Sequence, residues 1–342
     1  MRPFAYERPT NVSAAVAAAS HSTDARVPPT QANAQFIAGG TNMADYMKLG
    51  VAQPERLLDL NGLAEPALRQ IRISDDTIRF GALVRMGEAA DRAEIKRRCP
   101  LLAESLKLAA SGQIRNMASL AGNVLQRTRC EYFRETSWPC NKREPGSGCA
   151  ALEGLNRQHA VLGTSDDCIA TYHGDFAQAL IALDAVVEAE GREGLRRIPF
   201  AKLHHLPGDT PNIETDLAAD EVIVAINVPF RDWSRRSRFL KIRDRESYAF
   251  ALASAAVALD MDGDTVRQAR IALGGVATIP WRARAAEEAL QDKVLDRNAA
   301  EAAAEAAFTE AKPREHNAFK IPLGKRTLVR ALLETRDMKV SS

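Results

Sequence analysis

Residues 33–61, NAQFIAGGTNMADYMKLGVAQPERLLDLN, decide how the chain begins to fold. An apolar run ends in Gly39-Gly40, a helix-like stretch follows from Thr41, and a second apolar run, RLLDL, closes the segment. The pattern predicts strand, glycine turn, helix and strand, a small βαβ unit. Thr41 and Asn42 are suited to cap the helix. Two residues without Cβ let the backbone come close to an anion, and the helix start behind them offers unpaired N–H groups. A ligand-free strand-to-helix turn would use the same residues. The spacing is not G-x-G-x-x-G, so a nicotinamide Rossmann site gains no support.

Working outward, residues 110–126, ASGQIRNMASLAGNVLQ, form a second loop of small residues around Ser119, Gly122 and Asn123. Two such loops can clamp a pyrophosphate from both sides. Between them IRI and TIRFGAL read as strands and MGEAADRAEIKRR as helix. Further on, DFAQALIALDAVVEAEG (175–191) reads as helix into strand and EVIVAINVPF (221–230) as a strand. A polar, basic stretch, RDWSRRSR (231–238), marks a domain boundary. Beyond it residues 239–277 alternate strand, helix, strand, a turn at DGD, and strand, and residues 282–312 and 323–338 are helical. The fold class is α+β.

At 342 residues the chain exceeds what one ordinary core serves, so two or three domains are expected. Lys plus Arg number 46 against 44 Asp plus Glu, which argues against a nucleic-acid partner. Pro3, Glu7 and Pro9 interrupt any export signal at the N-terminus, and no run of about 18 apolar residues suggests membrane insertion.

Five cysteines, an odd count, argue for reduced thiols or metal ligands over a disulfide framework. Cys130, Cys140, Cys149 and Cys168 fall in residues 126–170, a stretch rich in Gly, Pro and charge that reads as an ordered insertion. Four thiolates suit zinc or an iron-sulfur cluster. Structural zinc usually shows C-x-x-C pairs, whereas the spacings here are 10, 9 and 19 residues, which a larger cluster tolerates better. Arg127, Arg129, Arg134, Lys142 and Arg143 outnumber Glu131, Glu135 and Glu144, a slight positive excess that favours an anionic cluster. On spacing, iron-sulfur, zinc and no metal all stay open. Cys99 reads as an ordinary buried thiol, and His159 and His173 are not needed as ligands.

QFIAGGTNM (35–43), GQIRNMASLAGN (112–123), residues 239–259 and ARIALGGVA (269–277) resemble the FAD-binding medium subunits of the xanthine dehydrogenase and carbon monoxide dehydrogenase group. The cysteine-bearing stretch is similar to that of the periplasmic aldehyde oxidoreductase type, and 4-hydroxybenzoyl-CoA reductase medium subunits have a comparable pattern. The resemblance implies an FAD-binding domain over 1–230, with subdomains of about 1–60 and 61–230, and a C-terminal α+β domain over 236–338 that closes over the flavin. It implies FAD contacts from Gln35, Phe36, Ile37, Ala38, Gly39, Gly40, Thr41, Asn42 and Met43 on one side and Ala118, Ser119, Gly122 and Asn123 on the other. Asp175 matches an acid that follows Pro-Ser in many relatives, although His173-Gly174 stands there in this chain. Ile223 matches an apolar contact to the ring, and Lys241 a lysine near the isoalloxazine. A lysine there would favour the anionic reduced ring, while a solvated lysine at a strand start is the commoner fate of the residue type.

The resemblance further implies a 4Fe-4S cluster on Cys130, Cys140, Cys149 and Cys168. The implied role is electron transfer. A large molybdenum-cofactor partner would oxidise an aldehyde, a small 2Fe-2S partner would relay electrons to the FAD, and an external acceptor would discharge them, with no substrate chemistry in this chain. The alternatives are a 4-hydroxybenzoyl-CoA reductase-like subunit and a zinc-stabilised binding module. The expected location is the periplasm, reached with a signal-bearing partner, or else the cytoplasm.

Overall fold

The computed structural model describes residues 1–21 and 27–340. Strand β1 (Ala5–Glu7), helix α1 (Val12–Ser20), strand β2 (Ala34–Ile37), helix α2 (Met43–Leu49) and strand β3 (Arg56–Asp59) build a three-stranded sheet of order β1-β3-β2. Both pairings are parallel, with Ala34 opposite Arg56 and Ile37 opposite Asp59, so the expected βαβ unit is present. Asn11 starts α1 by accepting the Ala14 N–H at 2.8 Å. Gly50 ends α2 in the left-handed region at φ 75°, which only glycine reaches without strain.

A second sheet follows, formed by β4 (Ile71–Ile73), β5 (Thr77–Gly81), β6 (Val186–Gly191), β7 (Gly194–Pro199) and β8 (Val222–Pro229) in the order β4-β5-β8-β6-β7. All its pairings are antiparallel. Strand β7, GLRRIP, buries only Ile198 and carries too little apolar signal to be read from sequence. Helices Pro100–Lys107 and Asp175–Ala182 pack between this sheet and the third, and all eight residues of the latter are buried. The expected helix over 86–98 is two helices, Met86–Asp91 and Ala93–Arg98, broken where Arg92 takes an extended conformation.

The third sheet holds β9 (Ser237–Ile242), β10 (Ala253–Asp262) and β11 (Thr265–Gly274) as an antiparallel meander. Along β10 the side chains alternate between two cores. Ala253, Ala255, Val257 and Leu259 meet the C-terminal helices Arg284–Leu290, Arg297–Ala307 and Lys320–Arg336. Ala256 and Ala258 face the core shared with the second sheet. A strand buried on both faces reads as a continuous apolar run, and its alanines let helix Asp175–Ala182 approach closely. The helix expected between β9 and β10 is absent: residues 243–252 form a bent loop in which Tyr248 has φ 51°. The loop is braced by Arg245, whose Nε donates to the Tyr248 carbonyl at 3.1 Å.

Residues 126–170 have one short helix, Glu131–Arg134, and otherwise turns. Arg143 organises this stretch by donating to the carbonyls of Tyr132 and Phe133, both at 2.7 Å, and to that of Trp138. Asn141 Oδ1 accepts from the N–H groups of Gly146 and Gly148. Phe133, Ala151, Ile169 and Ala170 form a small core of their own around the cysteines. At its end Val161 donates to the Val276 carbonyl at 2.8 Å, which ties the stretch to the third sheet.

Candidate functional site

The two glycine loops touch. A Cβ on Gly39 would lie 2.1 Å from the Met117 carbonyl oxygen and 3.0 Å from Ala118 Cα. Only glycine permits that approach. Gly40 turns the chain at φ 72°. Asn42 then bridges the loops by donating Nδ2–H to the Gly122 carbonyl at 3.2 Å, while Ser119 Oγ accepts the Gly122 N–H at 3.2 Å.

Above this junction lies a cleft of about 1430 Å³, walled by all three sheets' loops and by the cysteine-bearing segment. That exceeds the usual range for a small-molecule site and suits an extended dinucleotide. Of the residues expected at the flavin, Thr41, Asn42, Ala118, Asn123 and Asp175 line the cleft. Gln35 stands behind it, where its Nε2 holds the carbonyls of Thr30 and Ala32. Phe36, Ile37, Ala38 and Met43 pack into the cores that fix the loop. Ile223 sits on β8 in the core of the second sheet and is 4% exposed.

Lys241 is a finding of a different kind. Its Nζ lies 2.6 Å from Asp175 Oδ2 and 3.1 Å from the Leu108 carbonyl, with the side chain 1% exposed. The two form a buried ion pair. Burial pushes the Asp175 carboxyl up, and Lys241 pulls against that rise.

Sequence reasoning missed the charge that does face the cleft. Arg129 and Arg134 both bind Asp45, at 2.8 and 2.7 Å, and Arg129 also donates to Asn42 Oδ1 at 2.7 Å. Two guanidiniums on one carboxylate leave a net positive charge beside the glycine junction. Arg134 and then Arg129 hold the Asp45 carboxyl below the usual carboxylate range, against its partial burial. Both arginines stand out in sequence only as part of the charge excess near the cysteines, and their partner Asp45 is 84 and 89 positions away. The bent loop 243–252 supplies the remaining wall: the Phe250 ring lies 4.7 Å from that of His173 and 5.6 Å from the Arg129 guanidinium.

A polar ligand is what this cleft fits. Asn123 Oδ1, Arg129 Nε and His173 Nδ1 are buried on cleft-lining residues and have no partner among the described residues. Acceptor and donor atoms left unpaired in a buried wall cost free energy unless a ligand meets them. The pyrophosphate and ring heteroatoms of FAD offer both kinds of partner.

Beside the cleft, Cys130, Cys140, Cys149 and Cys168 converge on one small cavity, and all four are free thiols. Cys140 and Cys149 face each other across an antiparallel bridge. Burial pushes the Cys130 thiol up to about 12 and the Cys168 thiol up to about 11, with Lys142 pulling the latter back. Expectation assigned the four to one 4Fe-4S centre. The structure brings them to one cavity, yet among the described residues no group of three or more His, Cys, Asp or Glu is arranged to hold a metal ion. Cys99 lies apart in the main core, 1% exposed, as expected.

The family described as "FAD binding domain in molybdopterin dehydrogenase" matches residues 2–231, and "CO dehydrogenase flavoprotein C-terminal domain" matches residues 238–335. Fold and cleft are therefore those of a flavin-binding oxidoreductase subunit. The chain belongs to the FAD-binding subunits of the molybdenum-containing hydroxylases. It is 46% identical to the aldehyde oxidoreductase FAD-binding subunit PaoB of Escherichia coli K12, over 98% of this chain and 99% of that one. The carbon monoxide dehydrogenase medium chain of Hydrogenophaga pseudoflava is 28% identical, over 91% of this chain and 88% of that one. The solved carbon monoxide dehydrogenase of H. pseudoflava superposes with a TM-score of 0.72 at 29% identity, covering 97% of this chain and 96% of that one.

Proposed function

We propose that this chain is the electron-transfer subunit of a molybdenum-dependent aldehyde oxidoreductase, binding FAD in the cleft and a 4Fe-4S cluster on Cys130, Cys140, Cys149 and Cys168. The observation that carries the reading is the position of Cys130, which lines both the thiol cavity and the large cleft. In this reading one wall separates the flavin from the cluster. The aldehyde assignment is supported by the 46% identity to an aldehyde oxidoreductase FAD-binding subunit.

In this reading Gly39 and Gly40 bring backbone to the pyrophosphate, Arg129 balances its charge, and Ala118 and Asn123 close the other side. Asp175, held by Lys241, presents a fixed carboxylate to the cleft. FAD supplies the ability to take electrons singly from clusters and to discharge them singly or in pairs. The convergence of four free cysteines on one cavity supports a metal centre, since four thiolates are a ligand set for an iron-sulfur cluster. A large molybdenum-cofactor subunit, a small 2Fe-2S subunit and an external acceptor complete the path. No helix among the described residues is long and apolar enough to cross a membrane, and the assembled enzyme would reach the periplasm through a signal on a partner.

Metal and acid-labile sulfide analysis of the isolated chain tests this, together with acid precipitation to release the flavin. About four irons and four sulfides with FAD in the supernatant are expected. One zinc without sulfide would replace the cluster by a structural ion, and FMN in place of FAD would remove the pyrophosphate argument.

A further inference from the structure

His159 lies where the two sites meet. It lines the large cleft, is 4% exposed, and its Nε2 stands 3.1 Å from Cys130 Sγ. Its backbone N–H donates to the Asn156 carbonyl at 2.9 Å, and Ala160 donates to the Ile169 carbonyl at 3.0 Å, so the ring is carried on a fixed turn. Asn156 is itself anchored, since its Oδ1 accepts the His316 N–H at 2.9 Å. The Tyr132 ring lies 6.0 Å from the His159 ring. Nδ1 has no partner among the described residues.

We infer that His159 is a positioning residue for the iron-sulfur centre, donating Nε2–H to the Cys130 sulfur and thereby raising the reduction potential of the cluster next to the flavin. The inference rests on the cluster reading above. A metal-bound thiolate has no proton to give, so the hydrogen between the two atoms must come from the imidazole. The tautomer is fixed by that bond: the proton is on Nε2 and the lone pair on Nδ1. A hydrogen bond to a ligating sulfur stabilises the added negative charge of the reduced centre, which favours reduction. Among the four cysteines, Cys130 is the one that lines the cleft proposed for the flavin, so the bond would act on the sulfur on that side.

The test uses the full chain with iron, sulfide and FAD measured on every sample. In wild-type protein labelled with 15N-histidine, pulsed EPR of the reduced cluster should show a coupled histidine nitrogen and an exchangeable proton. In an EPR-monitored titration His159→Leu should lower the cluster midpoint while the flavin midpoint stays in place. His159→Gln, which keeps an N–H donor, should move it part of the way back. An iron-replete wild type without the nitrogen coupling, or an iron-replete His159→Leu with an unmoved midpoint, overturns the inference alone. A wild-type chain without iron and sulfide overturns the cluster reading, and the inference falls with it. Should His159→Leu lose its iron, the wild-type spectrum decides.

Discussion

Gly39 carries the closest backbone approach in the site, with the Met117 carbonyl where a Cβ would stand. Gly39→Ala must push the two loops apart, at a cost of about 1–3 kcal/mol in overpacking. Its expected signature is loss of FAD from the purified chain with the far-ultraviolet spectrum kept, and full flavin content would show that the junction does not form the cradle. His204 offers a separate test. It is enclosed by Tyr172 and Phe200, with Nε2 3.1 Å from the Val124 carbonyl, and burial pushes its pKa down to about 4. The folded value lies below the ordinary 6.5, so unfolding takes up a proton in the window between them. Its contribution to stability is complete above that upper value and declines as the pH falls toward the lower one. Denaturant titrations across the window should therefore show His204→Gln with a pH slope smaller by about one proton than wild type. An unchanged slope would mean that His204 is already charged in the fold.

The cysteine-bearing segment has little regular structure and is held by side-chain hydrogen bonds to its own backbone. A segment so rich in Gly, Pro and charge has little apolar surface to set against its chain entropy, which would leave its order to ligation. The fold is less bare than that: Phe133, Ala151 and Ile169 make a core, and Arg143 and Asn141 gather the turns from within. Cys140→Ser should remove iron and the broad visible absorption and increase cleavage between Arg127 and Arg157. The inner core and Arg143 should keep the loosening local, visible by limited proteolysis with the rest of the chain intact. Cys99→Ser should leave both readouts unchanged. Loss of iron without added cleavage would mean that side-chain packing alone holds the segment.

At the scale of the whole molecule, Asp175 and Lys241 join the buried helix Asp175–Ala182 to the first strand of the third sheet. Removing one partner of a buried pair leaves the other uncompensated, which typically costs about 3–5 kcal/mol. Lys241→Met is thus expected to lower stability toward denaturant by that order and to weaken flavin retention, because the helix start at Asp175 and the loop that follows β9 both border the cleft. Asp175→Asn combined with Lys241→Met should recover part of the loss. A single variant as stable as wild type would show that the pair does not hold the two units together.

The local order of strands and helices was legible because it is written in short periods: the strands and helix of the βαβ unit over 33–61, the largely apolar β8 and the alanine-rich β10 each declare themselves locally. The glycine loops were legible for the same reason, since a missing Cβ is a local property. The cysteines could be grouped by spacing, and the fold did bring them to one cavity. Strand β7 and the bent loop 243–252 were not legible, the first for want of apolar residues and the second because its conformation depends on neighbours from the insertion and the C-terminal helix. The charge balance at the cleft was hidden too. Arg129 and Asp45, Asp175 and Lys241, and His159 and Cys130 are separated by 84, 66 and 29 positions. Sequence determined which residue types were available for an anion, a flavin and a cluster. Only the tertiary structure decided which charges neutralise one another and which face the cleft, because a pairing over that separation is set by how sheets and loops pack, which no local period encodes.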